Sequence, residues 1–190
     1  MTNCGKISKS LVLAGCKSST PAIEPEMILL NFEDYQKATK EEADGVISAL
    51  TLAAGANGVR YSGAKNSFER SCTLSKGTYV NTFDHKVLCR VFKKTQAVKD
   101  EMNKLKESQV VAIVKNVDKG EDSVAWELLG ADNGLEMSEF TEDATASDGI
   151  IYQFSLASGD NFKESELPKT IDAGTADTTE ALIESLVKQA

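Results

Sequence analysis

Apolar residues recur along this chain with two periods, and the shorter one dominates. Short apolar or alternating runs read as strands: MILLNF (Met27 to Phe32), GVISALTLA (Gly45 to Ala53), TYVNTF (Thr78 to Phe83) and KVLCRVF (Lys86 to Phe92). VVAIV (Val110 to Val114), AWELLG (Ala125 to Gly130) and GIIYQFSLA (Gly149 to Ala157) follow in the second half. In the last of these, Ile150, Tyr152, Phe154 and Leu156 alternate with Ile151, Gln153 and Ser155, which puts the first set on a buried face. The chain is predicted to be mainly β.

The helical period enters twice. In TQAVKDEMNKLKES, Val98, Met102 and Leu105 fall on one face, Lys99, Asp100, Asn103 and Lys106 face water, and Thr95 stands where a cap belongs. Near the end, DTTEALIESLVKQA offers Asp177 with Glu180 three residues later as a capping box, followed by a stripe of Leu182, Ile183, Leu186 and Val187. That stripe needs a cover, either the protein's own sheet or a neighbouring subunit. Between these elements, Asn133 to Gly149 reads as a long hairpin with a mobile acidic tip. Asp160 to Thr179 reads as an extended arm, kept irregular by Pro168 and long enough to cross to a neighbour.

Composition changes the picture at two points. With 190 residues, 41% of them hydrophobic, the chain can bury one sizeable core without disulfides or metal. Its net charge of -8 conceals a segregation: residues 60–117 carry twelve Lys/Arg against five Asp/Glu, and residues 118–184 carry seventeen acids against three lysines. Such a split describes two differently solvated faces, or a head-to-tail contact in which one copy's basic surface meets the next one's acidic surface.

No apolar run approaches the ~18 residues of a membrane span. The tetrapeptide Leu13-Ala14-Gly15-Cys16 is the form an acylated lipoprotein signal takes, but the apolar run before it is short and is preceded by Lys6, Ser8, Lys9 and Ser10. A short strand is the expectation, with no membrane anchor. Cys4, Cys16, Cys72 and Cys89 show no metal-ligand spacing, as befits core thiols in a reducing compartment; a clip between Cys4 and Cys16 is the alternative for that pair.

Candidate chemistry is sparse. His85 is the only histidine, set in TFDHKVL between two expected strands, with no nucleophile in an elbow and no second histidine; it reads as part of a surface turn. No phosphate-binding glycine pattern occurs, and TEDATASD lacks the spacing of a calcium loop. The basic run around Phe92 is interrupted by Asp100 and Glu101 in an acidic chain, so tight nucleic-acid binding is not expected. The expectation is a non-enzymatic protein without cofactor or metal.

One resemblance bears on function. DGVISALTL, then NSFERSCTLSKGTYVNTFDHKVLCRVFKKTQAVKDEMNKLKESQVVAIVKN, then WELLGADNGLEMS, then DGIIYQFSLAS followed by ESELP resembles the tail-tube-like structural proteins of tailed bacteriophages, including crAss-like phages, over roughly Pro25 to Pro168. The resemblance implies a β-sandwich or barrel of tail-tube type with one flanking helix, to which the C-terminal helix is added. It also implies a virion protein assembled in the host cytoplasm as a homo-oligomeric ring of a tail, tail hub or neck. Such a ring would contact other tail, portal or neck proteins and let DNA pass without specific binding. The organisation expected is an N-terminal arm at 1–25, the β domain at 26–158, and a C-terminal arm and helix at 159–190. Glu136, Glu139, Glu142, Asp143 and Asp148 are the candidates to face the channel or a basic neighbour, since acidic walls repel phosphates. A β-sandwich adhesive or carbohydrate-binding module on a virion or cell surface is the alternative.

Overall fold

The computed structural model describes residues 23–117, 125–143, 145 and 149–187. In chain order they form β1 (Ile23–Asn31), α1 (Phe32–Lys37), β2 (Thr39–Ala43), β3 (Val46–Thr51), β4 (Val59–Ser62), β5 (Phe68–Lys76) and β6 (Asn81–Val91). Then come α2 (Gln96–Leu105), β7 (Val110–Asn116), β8 (Trp126–Leu129), β9 (Leu135–Glu142), β10 (Tyr152–Ser158), β11 (Lys169–Ile171) and α3 (Ala176–Ser185).

The strands make one open mixed sheet in the order β2-β3-β11-β8-β7-β9-β10-β6-β5, with β1 along the other edge of β7 and β4 outside β1. Among the strands of the described residues, only β11 and β3 pair in parallel; the other strand pairings are antiparallel, and a lone parallel bridge joins Gly58 to Val187. A single residue pair, Val110 with Leu135, joins β7 to β9. At that narrow joint the sheet folds over, so that Met27, Leu29, Ala112, Val114 and Leu129 of one section share a core with Val87, Cys89, Phe154 and Leu156 of the other. The opposite face of β1, β7 and β8 packs Ile28, Val111, Ile113 and Leu128 against Tyr35, Ile183 and Leu186. β7 is thus covered on both sides, which is why VVAIV is continuously apolar where a half-buried strand would alternate.

α2 forms as its period predicts. The Thr95 hydroxyl accepts from the Val98 N–H at 3.3 Å, and Met102 and Leu105 enter the core. α3 closes on its own sheet, but its cap lies upstream of the expected Asp177. Thr175 is the N-cap, and Thr175 and Thr178 bond reciprocally in a capping box. A third helix, α1, replaces the end of the MILLNF strand: Phe32 donates its N–H to Gln109 O at 2.9 Å and turns the chain so that Phe32 and Tyr35 are buried. The expectation of one flanking and one terminal helix is corrected to three.

Several polar strands gave no periodic signal, among them β2, β5 and the outer part of β9. They lie at sheet edges, where little side-chain area is removed from water. The TYVNTF run is not one strand either, since Gly77 to Val80 form the β5–β6 turn and β6 starts at Asn81. The GADNG turn between β8 and β9 needs its glycines: Gly130 and Gly134 have φ of +79° and +73°.

The segment 159–187 belongs to this body. Instead of leaving as an extended arm, it places β11 between β3 and β8 and buries Glu164, Ile171, Ile183 and Leu186. Cys4, Cys16 and the run before Cys16 lie outside the described residues.

Candidate functional site

The acidic hairpin is β9–β10, and its acids stand on a strand more than on a tip. Glu136 pairs opposite Ala157, Glu139 opposite Ser155 and Glu142 opposite Tyr152. A spacing of three would place Glu136 and Glu139 on opposite faces of a regular strand. A bulge at Ser155/Leu156 absorbs the extra residue, Ser138, and returns both carboxylates to the face turned away from the core. Asp143 follows β9 and accepts from the N–H and the hydroxyl of Thr145, both at 2.9 Å. Asp148 lies outside the described residues.

Two of these acids meet the basic middle of the same chain. Lys86 on β6 reaches across β10 to Glu139 at 2.8 Å, and Ser155 Oγ donates to the same carboxylate oxygen at 3.1 Å. Lys94 pairs with Glu142. The hydrogen bonds from Lys86 and Ser155 hold the Glu139 carboxyl below its ordinary value; Lys94 does the same for Glu142 and Thr145 for Asp143. On the far side of β6, Arg90 pairs with Glu69 of β5 at 2.7 Å.

Strands β9-β10-β6-β5 form a four-stranded antiparallel layer whose outer edges are both without a strand partner among the described residues. From Glu136 onward β9 pairs only with β10, and β5 pairs only with β6. β5 runs nine residues in uninterrupted register, and Ser71 to Ser75 contain no charge and no proline. β2, at the opposite end of the strand order from β5, carries Lys40, Glu41 and Glu42 and is broken by a bulge, features that blunt an edge. At the end of the β5–β6 hairpin, Leu74 and Val80 are exposed and Tyr79 is 97% exposed.

His85 is not in a surface turn. It sits inside β6 with 1% of its surface exposed, because the strand begins earlier than the pattern indicated and the segment 159–167 covers it. Nδ1 accepts from the Gly130 N–H at 3.2 Å, so Nε2 carries the proton and donates to Glu166 O at 3.0 Å. The backbone N–H of His85 donates to Ser158 Oγ at 3.1 Å. With both ring nitrogens committed to backbone groups, this imidazole holds structure and has no lone pair to offer a substrate.

Glu164, which no sequence pattern singled out, completes the same polar knot. Its carboxylate accepts from Asp132 N–H at 2.7 Å and Asn133 N–H at 3.0 Å. Burial pushes it above its ordinary value. No local pattern signals it, because the Gly-rich turn it holds lies some thirty residues away in sequence.

Burial also raises the Cys89 thiol and, less strongly, that of Cys72, so neither is an activated nucleophile. Among the described residues no group of three or more His, Cys, Asp or Glu is arranged to hold a metal ion. A groove of about 420 Å³ beside α1 is lined by Asn31, Glu33, Asp34 and Gln109 and has no histidine or cysteine in its walls. No helix of the described residues is long and apolar enough to cross a membrane.

Comparison with known proteins adds no assignment: no family model, no curated protein and no solved structure matches the chain.

Proposed function

We propose that this chain is a non-enzymatic virion structural protein, a ring-forming subunit of a phage tail, tail hub or neck, with a body of tail-tube type surrounding a DNA channel. The observation that carries the reading is the four-stranded layer β9-β10-β6-β5, whose two outer edges have no strand partner among the described residues. Alternating antiparallel pairing makes β5 and β9 run in opposite directions. When copies are related by rotation about an axis along the strands, β5 of one copy and β9 of the next therefore meet antiparallel, and the layer continues. Such a heterologous contact closes into a ring if the rotation allows it, and ring closure removes the edges that would otherwise aggregate.

The face of this layer turned from the core suits passage of a polyanion. It presents Ser71, Thr73 and Ser75 on β5 and Glu136 and Glu139 on β9, while its cations Lys86 and Arg90 are engaged by Glu139 and Glu69. Phosphates sliding past such a wall find few cations to bind. Other tail, portal or neck proteins would meet the ring at its ends. The alternative, an adhesive or carbohydrate-binding module, draws less support because Trp126 is buried in the core beneath Lys115 instead of standing in a loop.

Sedimentation and negative-stain imaging of the purified chain over a range of concentrations test the reading. Rings or short tubes are expected, and Thr73→Lys with Leu74→Lys on the β5 edge should abolish them while leaving a folded monomer. A wild-type chain that stays monomeric at its highest soluble concentration, alone and with virion extract, would defeat it.

A further inference from the structure

No residue of the segment 159–167 belongs to either apolar core. Phe162 and Leu167 are exposed, and Glu164 is its one buried residue. The fasteners are polar. Phe83 and Glu164 exchange backbone hydrogen bonds at 2.7 and 2.9 Å, Lys163 Nζ pairs with Asp84 at 3.0 Å, and Ser165 donates to Asp132. Two titratable side chains, His85 and Glu164, hold one turn between them by accepting the N–H groups of Gly130, Asp132 and Asn133.

We propose that 159–167 is an acid-released strap, and that protonation of His85 is the trigger freeing it from the β8–β9 turn and from β6. An imidazolium has no lone pair, so a proton on Nδ1 faces the Gly130 N–H donor to donor. Either the turn moves or the ring rotates, and rotation withdraws Nε2–H from Glu166 O in the strap. The charged groups around the ring divide. Burial and Arg70 of β5 disfavour the cation, while the Glu166 carbonyl, Asp132 of the turn and Asp84 of β6 favour it; burial prevails and holds the imidazole below its ordinary value. Cys72 lies opposite on β5, and Lys163 and Glu164 face the knot from the strap. Glu164 responds with the opposite sign, since burial already favours its protonated form, so the trigger falls to His85. Release bares the backbone edge of β6 at Phe83, directly across from Leu74 and close to the exposed hairpin end. None of this depends on ring assembly.

Hydrogen exchange of the full chain at about pH 7.5 and about pH 5.5, corrected for the intrinsic rate, reads the opening directly. In peptides covering 81–85, 130–134 and 159–167 the open fraction should rise by up to about tenfold per pH unit below the ordinary imidazole value, while β1 and β7 stay protected. His85→Asn, which keeps a donor and an acceptor but does not titrate, should flatten that dependence. Because His85 is the only histidine, its ring signal can be titrated by NMR in the wild type. Strap exchange independent of pH in the wild type, an equal slope in His85→Asn, or an imidazole titrating at or above its ordinary value would each overturn the proposal. Should His85→Asn fail to fold, the two wild-type measurements still decide it.

Discussion

Lys86 and Glu139 meet at 2.8 Å across the intervening strand β10, joining the basic middle of the chain to its acidic second half inside one molecule. Lys94, in the segment after β6, pairs with Glu142 and joins the same two halves of the chain. The segregation of charge along the sequence is therefore partly resolved by sheet pairing, because β6 and β9 flank the same strand. Part of the complementarity that would drive a head-to-tail contact is already used within the chain, and the interface of the proposed ring would draw more on strand edges and exposed apolar side chains.

The Lys86–Glu139 pair gives a charge-swap test. If the chain forms the proposed ring, Glu139→Lys should weaken its assembly by setting two cations together beside the β9 edge, and the double variant Lys86→Glu with Glu139→Lys should restore it. The monomer's unfolding midpoint should hardly move in either, since exposed pairs contribute little. Sedimentation of the two variants beside the wild type checks this; a swap that fails to restore assembly would place the working partner of Glu139 on another copy.

Leu105 enters the core from α2 together with Met102, in the cluster that also holds Val110 and Leu135 from the fold of the sheet. Leu105→Ala should cost about 2–5 kcal/mol, the range for deleting a buried leucine side chain. A denaturant titration measures it. An unchanged midpoint would mean that the helix does not cover the joint.

Glu164→Ala should leave the N–H groups of Asp132 and Asn133 without their acceptor, at about 1–3 kcal/mol for each donor that water cannot reach. Glu164→Gln retains one acceptor oxygen and should cost less. Equal midpoints for both variants and the wild type would show that the carboxylate is not what fastens the turn.

Acid stability should show two opposed contributions. Burial holds the folded His85 imidazole below 6.5, so the stability it contributes is complete above that value and is lost as pH falls beneath it. Burial raises the folded Glu164 carboxyl above 4.5, so the folded chain takes up that proton first and stability rises as pH falls through the raised value. Denaturation from neutral pH downward should show an initial loss that His85→Asn removes. A loss of equal size in the variant would assign it to other groups.

Cys89 faces the core and its thiol is raised by burial, so a thiol reagent applied to the native protein should leave it unmodified until denaturant is added. Cys72, half-buried on β5, should react first of the two. Peptide mass mapping separates them, and labelling of Cys89 at the rate of Cys72 would show that the two sheet sections part in the native state.

Strand content and the α2 and α3 helices are legible in the sequence because they follow from local periodicity. Val98, Met102 and Leu105 align at any location where a helix can form, and Tyr152, Phe154 and Leu156 point one way in any strand. The acidity of β9 is equally local. What only the tertiary structure decided are the relationships that join distant segments. VVAIV reads as a strand from its composition, yet that it is buried on both faces depends on α3 returning to cover Val111 and Ile113. Glu136 and Glu139 share a face because of a bulge whose origin lies in the pairing of β9 with β10. β11 takes its place between β3 and β8, although its Lys-Thr-Ile is too short to show any period. His85 is surrounded by backbone groups and carboxylates from three segments, so its burial is not encoded in TFDHKVL. Hydrogen bonds and ion pairs act over a few ångströms of space without regard to separation along the chain, and their partners become determined only when the hydrophobic faces have chosen how the sheet folds over.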